Sequence, residues 1–270
     1  MPSTFHRLNF QFILDDHHFG ADPRIQSSGH VWEYFSNYVW AQFTGGPPSF
    51  YRPLFLVWLR LNFLLSEMSP WGWHLLSLLR HIAVAALLGL LVWILLRDRA
   101  AVLLAAGLFA LHPSHTESVA WVTVPDPLMS LAILISVILF LIYLSNDSLL
   151  DAKVERAAGG YSRKKKPVTP TRPILWFLGS AVACLTALLL KETAVMVPAI
   201  LLVVAVFMSD SLTAESVATH RSFRHRLLQG LRLIVPFVCV TLVYFLMRFH
   251  ALGGKLWWAL YLLPQCNRGL

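Results

Sequence analysis

Apolar positions along this chain come in long runs separated by short polar stretches, without the alternation of a strand or the one-sided period of a surface helix. The first long run is His74–Leu96, closed by Arg97-Asp98-Arg99. A second extends from Ala100 to about Leu111 and stops at His112-Pro113-Ser114-His115. A third, Leu128–Leu144, is followed by a polar segment containing "SRKKK", Ser162–Lys166. Ile174–Met208 is one apolar block of 35 residues, interrupted once at Lys191-Glu192-Thr193. As one helix it would measure about 52 Å, against a hydrocarbon core of about 30 Å, so it divides at Lys191 into two spans. The last run, about Leu233–Phe249, ends beside Arg248. The pattern predicts an all-α, polytopic transmembrane bundle of about six spans over residues 74–250.

Residues 1–73 read differently. "HVWEYFSNYVWAQF" (His30–Phe43) repeats aromatics near helical spacing, and "RPLFLVWLRLNFLL" (Arg52–Leu65) is an apolar helix too short to span. Both suit helices in the membrane interface, with Trp and Tyr at headgroup depth, and suit equally well helices packed on the rest of the protein. Residues 251–270 form a further interfacial tail. Composition agrees with lipid as the main solvent: 57% of residues are hydrophobic, 13% are charged, and mean hydropathy is +0.61. The net charge of +8 lies in the connections between apolar runs, where topology accounts for it without a nucleic-acid partner. Cys184, Cys239 and Cys266 are isolated and match neither a disulfide framework nor a zinc site.

Basic residues orient the bundle. The connections 97–99, 145–173 and 209–232 hold two, seven and four Lys/Arg, which predicts that they are cytoplasmic and that residues 1–73 lie on the other side. The assignment depends on Ala100–Leu111, short for a span, crossing back. Asp15, Asp16, Arg52, His112, His115, Glu117, Asp126, Lys191, Glu192 and Arg248 then all fall on the non-cytoplasmic face, periplasmic or lumenal.

The chemistry on that face has two signs. Adjacent carboxylates such as Asp15 and Asp16 repel, and burial beside apolar surface raises one of them toward a useful proton acceptor, although an acidic pair also suits a solvated turn. His112, His115 and Glu117 can ligate a metal or hydrogen-bond an anion, but their spacing is not that of a zinc helix. A Lys-Glu pair in apolar sequence is expensive, so Lys191 either snorkels to pair with Glu192 or, with Arg52 and Arg248, clamps a phosphate. A base on one side and cations on the other suit attack of a hydroxyl on a sugar carried by a lipid phosphate.

The order "ILDDHHFG", "YRPL", "PWGWHLLSLLRH", "LFALHPSHTESVAWV", "LLLKETAVMVPAILL" resembles integral-membrane glycosyltransferases of the GT-C superfamily. The closest resemblance is to the transmembrane O-mannosyltransferase-like branch that carries tetratricopeptide repeats, over about residues 9–255. It implies inverting transfer from a polyprenyl-phosphate sugar to a protein or glycan hydroxyl on the non-cytoplasmic side. By the resemblance Asp15 is the catalytic acid of the first outer loop and Asp16 the acid after it. The resemblance also puts Arg52, Glu117 and Lys191 at the donor site. Taken with the charge pattern, Arg52, Lys191 and Arg248 are expected donor-phosphate ligands and His112, His115, Glu117, Asp126 and Glu192 substrate-pocket residues, with no metal invoked. Two stretches depart from the family: a spanning helix is expected before the acidic pair where Met1 stands only 14 residues ahead of Asp15, and "VPDP" stands where a Gly-Arg-Ala-Asp-like stretch is expected. With no later spans or repeats present, the expectation is a truncated N-terminal membrane part. The competing expectation is a polytopic protein without catalysis, a transporter or a scaffold that keeps the fold. A transporter would place its polar groups mid-span in repeated broken helices.

Overall fold

A computed structural model of the chain describes residues 11–13, 15–41, 50–159, 173–208 and 223–254. All regular structure among the described residues is helical. Four short helices or turns come first: α1 (Asp16–Ala21), α2 (Pro23–Gln26), α3 (Glu33–Ser36) and the longer α4 (Pro53–Ser66). The hairpin α5 (Pro70–Leu96) and α6 (Arg99–Leu111) follows, then α7 (Thr116–Ala120) and α8 (Asp126–Gly159). The chain continues with α9 (Pro173–Leu190), α10 (Val197–Met208) and α11 (Phe223–Ala251). Three segments are long and apolar enough to cross a membrane: α5, α11 and Asp126–Ser145 of α8; α4, α6, α9 and the Glu192–Met208 stretch are shorter apolar helices. Outward-facing leucines such as Leu78, Leu79 and Leu90 are exposed on α5, as expected of a helix whose outer surface meets lipid.

Local chemistry sets the helix starts. Proline opens α2, α4, α5 and α9, where its missing N–H costs nothing. Asp98 caps α6, its Oδ1 accepting from Ala100 N at 2.8 Å. Lys191 breaks the long apolar block as expected: α9 ends at Leu190 and a 3-10 turn over Glu192–Met196 leads into α10. In contrast, of the helix expected at His30–Phe43 the described part, to residue 41, forms only one α-helical turn, α3. There the backbone is used elsewhere: the Arg24 guanidinium takes the carbonyls of Tyr38 and Val39, and Val39 N donates to Phe50 O at 2.8 Å. Within α1–α4, the cap of the bundle, Arg24 itself is fully buried in an ion pair with Asp22 at 2.7 Å, and α4 is tied to α2 by Arg60 Nη1 donating to Ile25 O at 2.5 Å.

In the bundle α8 and α9 pack antiparallel, clamped by two fully buried serines. Ser136 Oγ donates to Ser180 O at 2.9 Å and Ser180 Oγ to Ser136 O at 2.8 Å. Phe140, Phe177 and Phe237 join α8, α9 and α11 edge to face, with ring centroids 5.3–5.7 Å apart. α6 is only 13 residues, about 20 Å, and it stops level with His81, whose Nε2 donates to Ala110 O at 3.1 Å. Residues 112–125 therefore run beside the second and third turns of α5 as a 3-10 turn over Pro113–His115, the short α7 and an irregular stretch over 121–125. Polar side chains of α5 satisfy that backbone: Ser77 Oγ donates to Val119 O at 2.9 Å, and Arg80 to Val122 O at 3.0 Å and Val124 O at 3.4 Å. This stretch, the start of α8, the turn after α9 and the cap meet at one end of the bundle.

Candidate active site

The two aspartates of the acidic pair are held differently. Asp16, at the start of α1, is buried and fully bonded: Oδ1 accepts from Thr123 N at 3.1 Å and Thr123 Oγ1 at 2.6 Å, and Oδ2 from Ile13 N at 3.1 Å. These bonds fasten the cap to the irregular segment more than a hundred residues away. Asp15 sits one residue earlier, half-buried, and among the described residues nothing hydrogen-bonds its carboxylate. Asp16 is therefore a structural tie, and Asp15 is presented to a cleft.

That cleft has a volume of about 490 Å³. Its charged walls are Asp15, Arg52, Glu117, Asp126 and Lys191, with Phe19, Trp40, Phe50, Phe55 and Trp121 as its aromatic surfaces. The cations are paired. Lys191 Nζ donates to Asp126 Oδ1 and Oδ2 at 2.6 and 2.7 Å, joining the end of α9 to the start of α8. Arg52 grips Glu192 with both prongs, Nε to Oε2 at 2.9 Å and Nη2 to Oε1 at 2.7 Å, and lies 4.3 Å over the Phe50 ring. Burial pushes the Glu192 carboxyl up, but the bonds and charge of Arg52 outweigh it and hold the group below the usual carboxylate range; Arg248 adds to that lowering. Arg248 thus belongs to the Arg52–Glu192 corner, behind the cleft wall.

Among the ten residues singled out in the sequence, the structure brings Asp15, Arg52, Glu117, Asp126 and Lys191 onto one cleft, with Asp16, Glu192 and Arg248 behind it. His112 and His115 lie outside that lining. His115 packs on Phe109 at 4.2 Å between centroids, with His81 at 5.5 Å and His112 at 6.1 Å. His112 Nδ1 accepts from Ser114 N at 3.2 Å as a helix cap. Burial first, then repulsion from the His81 and His112 imidazoles, lowers the His115 pKa and keeps that ring neutral near pH 7. Among the described residues no three His, Cys, Asp or Glu side chains converge as a metal-ligating group.

Three residues at the site are not among those singled out in the sequence. Thr123 anchors Asp16. Arg80, buried in α5 with its guanidinium 5.2 Å over the Trp58 ring, bonds the carbonyls on either side of Thr123. The signal for Arg80 was an arginine inside an apolar run, which membrane helices seldom carry without a use. Trp121 lines the cleft, yet among the described residues its buried indole N–H has no partner, a state costing roughly 1–3 kcal/mol.

Comparison with known proteins gives a consistent set of relatives. Over 168 residues the chain is 33% identical to protein O-mannosyl-transferase TMTC2 of Homo sapiens, covering 62% of this chain and 18% of that protein. Over 80 residues it is 45% identical to protein O-mannosyl-transferase TMTC3 of Mus musculus, 30% of this chain and 9% of the relative. Over 116 residues it is 34% identical to protein O-mannosyl-transferase Tmtc1 of Drosophila melanogaster, 42% of this chain and 14% of the relative. The matched stretch is less than a fifth of each of these three relatives. No family model matches, and no solved structure matches.

Proposed function

We propose that this chain, which belongs with the TMTC-like protein O-mannosyl-transferases, forms the reaction cleft of a membrane glycosyltransferase of GT-C type. The observation that carries the proposal is the difference between the paired aspartates: Asp16 is locked to Thr123, and Asp15 faces the cleft unbonded among the described residues. In the proposed reaction a serine or threonine hydroxyl of a protein acceptor attacks C1 of a mannosyl group carried on a polyprenyl phosphate. The new O–C1 bond forms as the C1–O bond to phosphate breaks, with inversion. Asp15 takes the hydroxyl proton, and the bond pair leaves with the polyprenyl phosphate. Lys191 and Arg52 line the same cleft as Asp15; exchanging Asp126 and Glu192 for phosphate oxygens, they stabilise that leaving charge.

A second reading has one observation in its favour. Both cations are already paired with carboxylates, as in a scaffold that keeps the fold without the chemistry. Transfer from polyprenyl-phosphate mannose to a Ser/Thr peptide by the full-length protein in liposomes separates the two. A base at Asp15 predicts that Asp15→Asn slows transfer by about 10²–10⁴-fold with the protein still folded. Wild-type rates in that variant would remove Asp15 from the mechanism, and a folded wild type that transfers nothing would leave the scaffold.

A further inference from the structure

We infer that the outer groove between α5 and α6 seats one acyl chain of an anionic phospholipid, with Arg97 and Arg99 binding the headgroup phosphate. The inference concerns the half of α5 remote from the cleft and stands independently of the transferase reading. The groove has a volume of about 410 Å³. Ala86 and Gly89 of α5 and Ala106 of α6 line it, and α6 lies close here because Gly89 has no Cβ: one would stand 3.4 Å from Val102 Cγ1. Leu90 and Leu103, also on the lining, are exposed, so the groove opens outward. From Ala85 to Trp93 it runs about 12 Å along α5 at 1.5 Å per residue, close to the ~15 Å hydrocarbon depth of one leaflet.

Charge at one end of the groove selects the occupant. Arg99 is the one charged residue on this lining, and it stands where α6 begins. The Arg97 guanidinium is drawn to the same end, 5.8 Å over the ring of Trp93, which also lines the groove. Neither arginine has a carboxylate partner among the described residues; the acid between them, Asp98, caps α6 through Ala100 N. Arg97 also occupies the left-handed region, φ 55° and ψ 24°, at the C-terminal end of α5, a position that glycine fills without strain. An arginine held there costs the fold, and two unpaired guanidiniums beside a membrane-length apolar helix are matched by an anion at headgroup depth. A sterol would fill the groove and leave both arginines idle. A second copy of the chain, or another helix, would have to bring a carboxylate to the turn. A phospholipid supplies chain and phosphate in one molecule, and the cytoplasmic leaflet, where the charge pattern is expected to put this turn, is the anionic one.

The test is native mass spectrometry of the full-length protein, titrated separately with phosphatidylglycerol and phosphatidylcholine of identical acyl chains. Phosphatidylglycerol is expected to bind the wild type more tightly. Arg99→Gln and Arg97→Gly are each expected to weaken it about fivefold and to leave phosphatidylcholine within about twofold of wild type. Ala86→Phe, at an exposed position on the lining, adds a ring where the chain would lie and is expected to weaken both lipids. Without lipid, Arg97→Gly is expected to melt no lower than the wild type, since glycine takes the left-handed position freely, so a lost affinity is not a lost fold. Equal affinity of the wild type for the two lipids would overturn the inference, whether because no phosphate is bound at the turn or because another part of the full-length protein covers the groove. So would arginine variants that weaken both lipids alike. An Ala86→Phe protein that binds phosphatidylglycerol as the wild type does would overturn it too, reducing the contact to headgroup attraction with no chain in the groove.

Discussion

At the scale of single residues the site depends on which groups are tied and which are not. Asp16 accepts three hydrogen bonds from Ile13 and Thr123. Asp16→Asn would turn an amide N–H toward one of those donors, and we expect it to cost about 1.5–3 kcal/mol, with Thr123→Val costing less because the Thr123 backbone bond survives. Melting of the purified protein in detergent checks the order; equal stability of all three would show that this tie does not hold the cap. The Arg52–Glu192 corner makes a pH prediction. Because the Glu192 carboxyl is held below its ordinary value of 4.5, the pair contributes its full stability above that value and loses it as pH falls through the lowered native one. The stability gap between wild type and Glu192→Gln is therefore expected to be flat from pH 8 to about pH 5 and to shrink in more acid solution. A gap that widened on acidification would reverse the assigned sign.

At the scale of elements, the corner between α4 and α5 is the most tightly specified. A Cβ on Gly72 would stand 1.9 Å from Ser66 Oγ and 2.4 Å from Ser66 Cβ, so part of the obstruction is fixed near the backbone. Gly72→Ala is expected to destabilise the fold by about 1–3 kcal/mol, and adding Ser66→Gly to recover part of that loss. Additive losses in the double variant would place the effect elsewhere. The same elements show what was legible in the sequence. The cut at Lys191 could be read because a charged pair ends an apolar run too long for one span, and the α5–α6 turn because Arg97-Asp98-Arg99 stops another. Counting crossings put ten candidate residues on one face, and the structure brings five of them, Asp15, Arg52, Glu117, Asp126 and Lys191, onto one cleft. Beyond that reach lay contacts made across the chain: Thr123 choosing Asp16 over Asp15, Arg24 drawing the Tyr38–Val39 carbonyls out of a helix, Arg80 propping the segment under the cleft. No periodicity encodes those, since each joins residues whose spacing only the folded chain sets.

At the scale of the whole molecule, the arrangement of helix ends bears on sidedness. The cleft lies at the end of the bundle where α5 and α8 begin and α9 and α11 finish, and the Arg97–Arg99 turn lies at the opposite end of α5. α6 returns along α5 with Gly89 facing Val102 and Ala106, so residues 112–125 come back to the cleft end even though 13 residues are too few to cross the hydrocarbon as a helix. If the two arginines of that turn follow the positive-inside tendency, the turn is cytoplasmic and the cleft is expected on the other side. The basic stretches Ser162–Lys166 and 209–222 used in the same argument lie outside the described residues. Ser69→Cys, at the cleft end, and Ala100→Cys, at the far end, are both at exposed positions. Placed singly in a background with Cys184, Cys239 and Cys266 replaced by serine, the first is expected to react with an impermeant maleimide on sealed, right-side-out vesicles, and the second only after the membrane is opened. The reverse pattern would put Asp15 in the cytoplasm and require a donor whose sugar faces that side. Labelling of both from outside would mean that α5 does not span, and the bundle would have to be reassigned as lying within one leaflet.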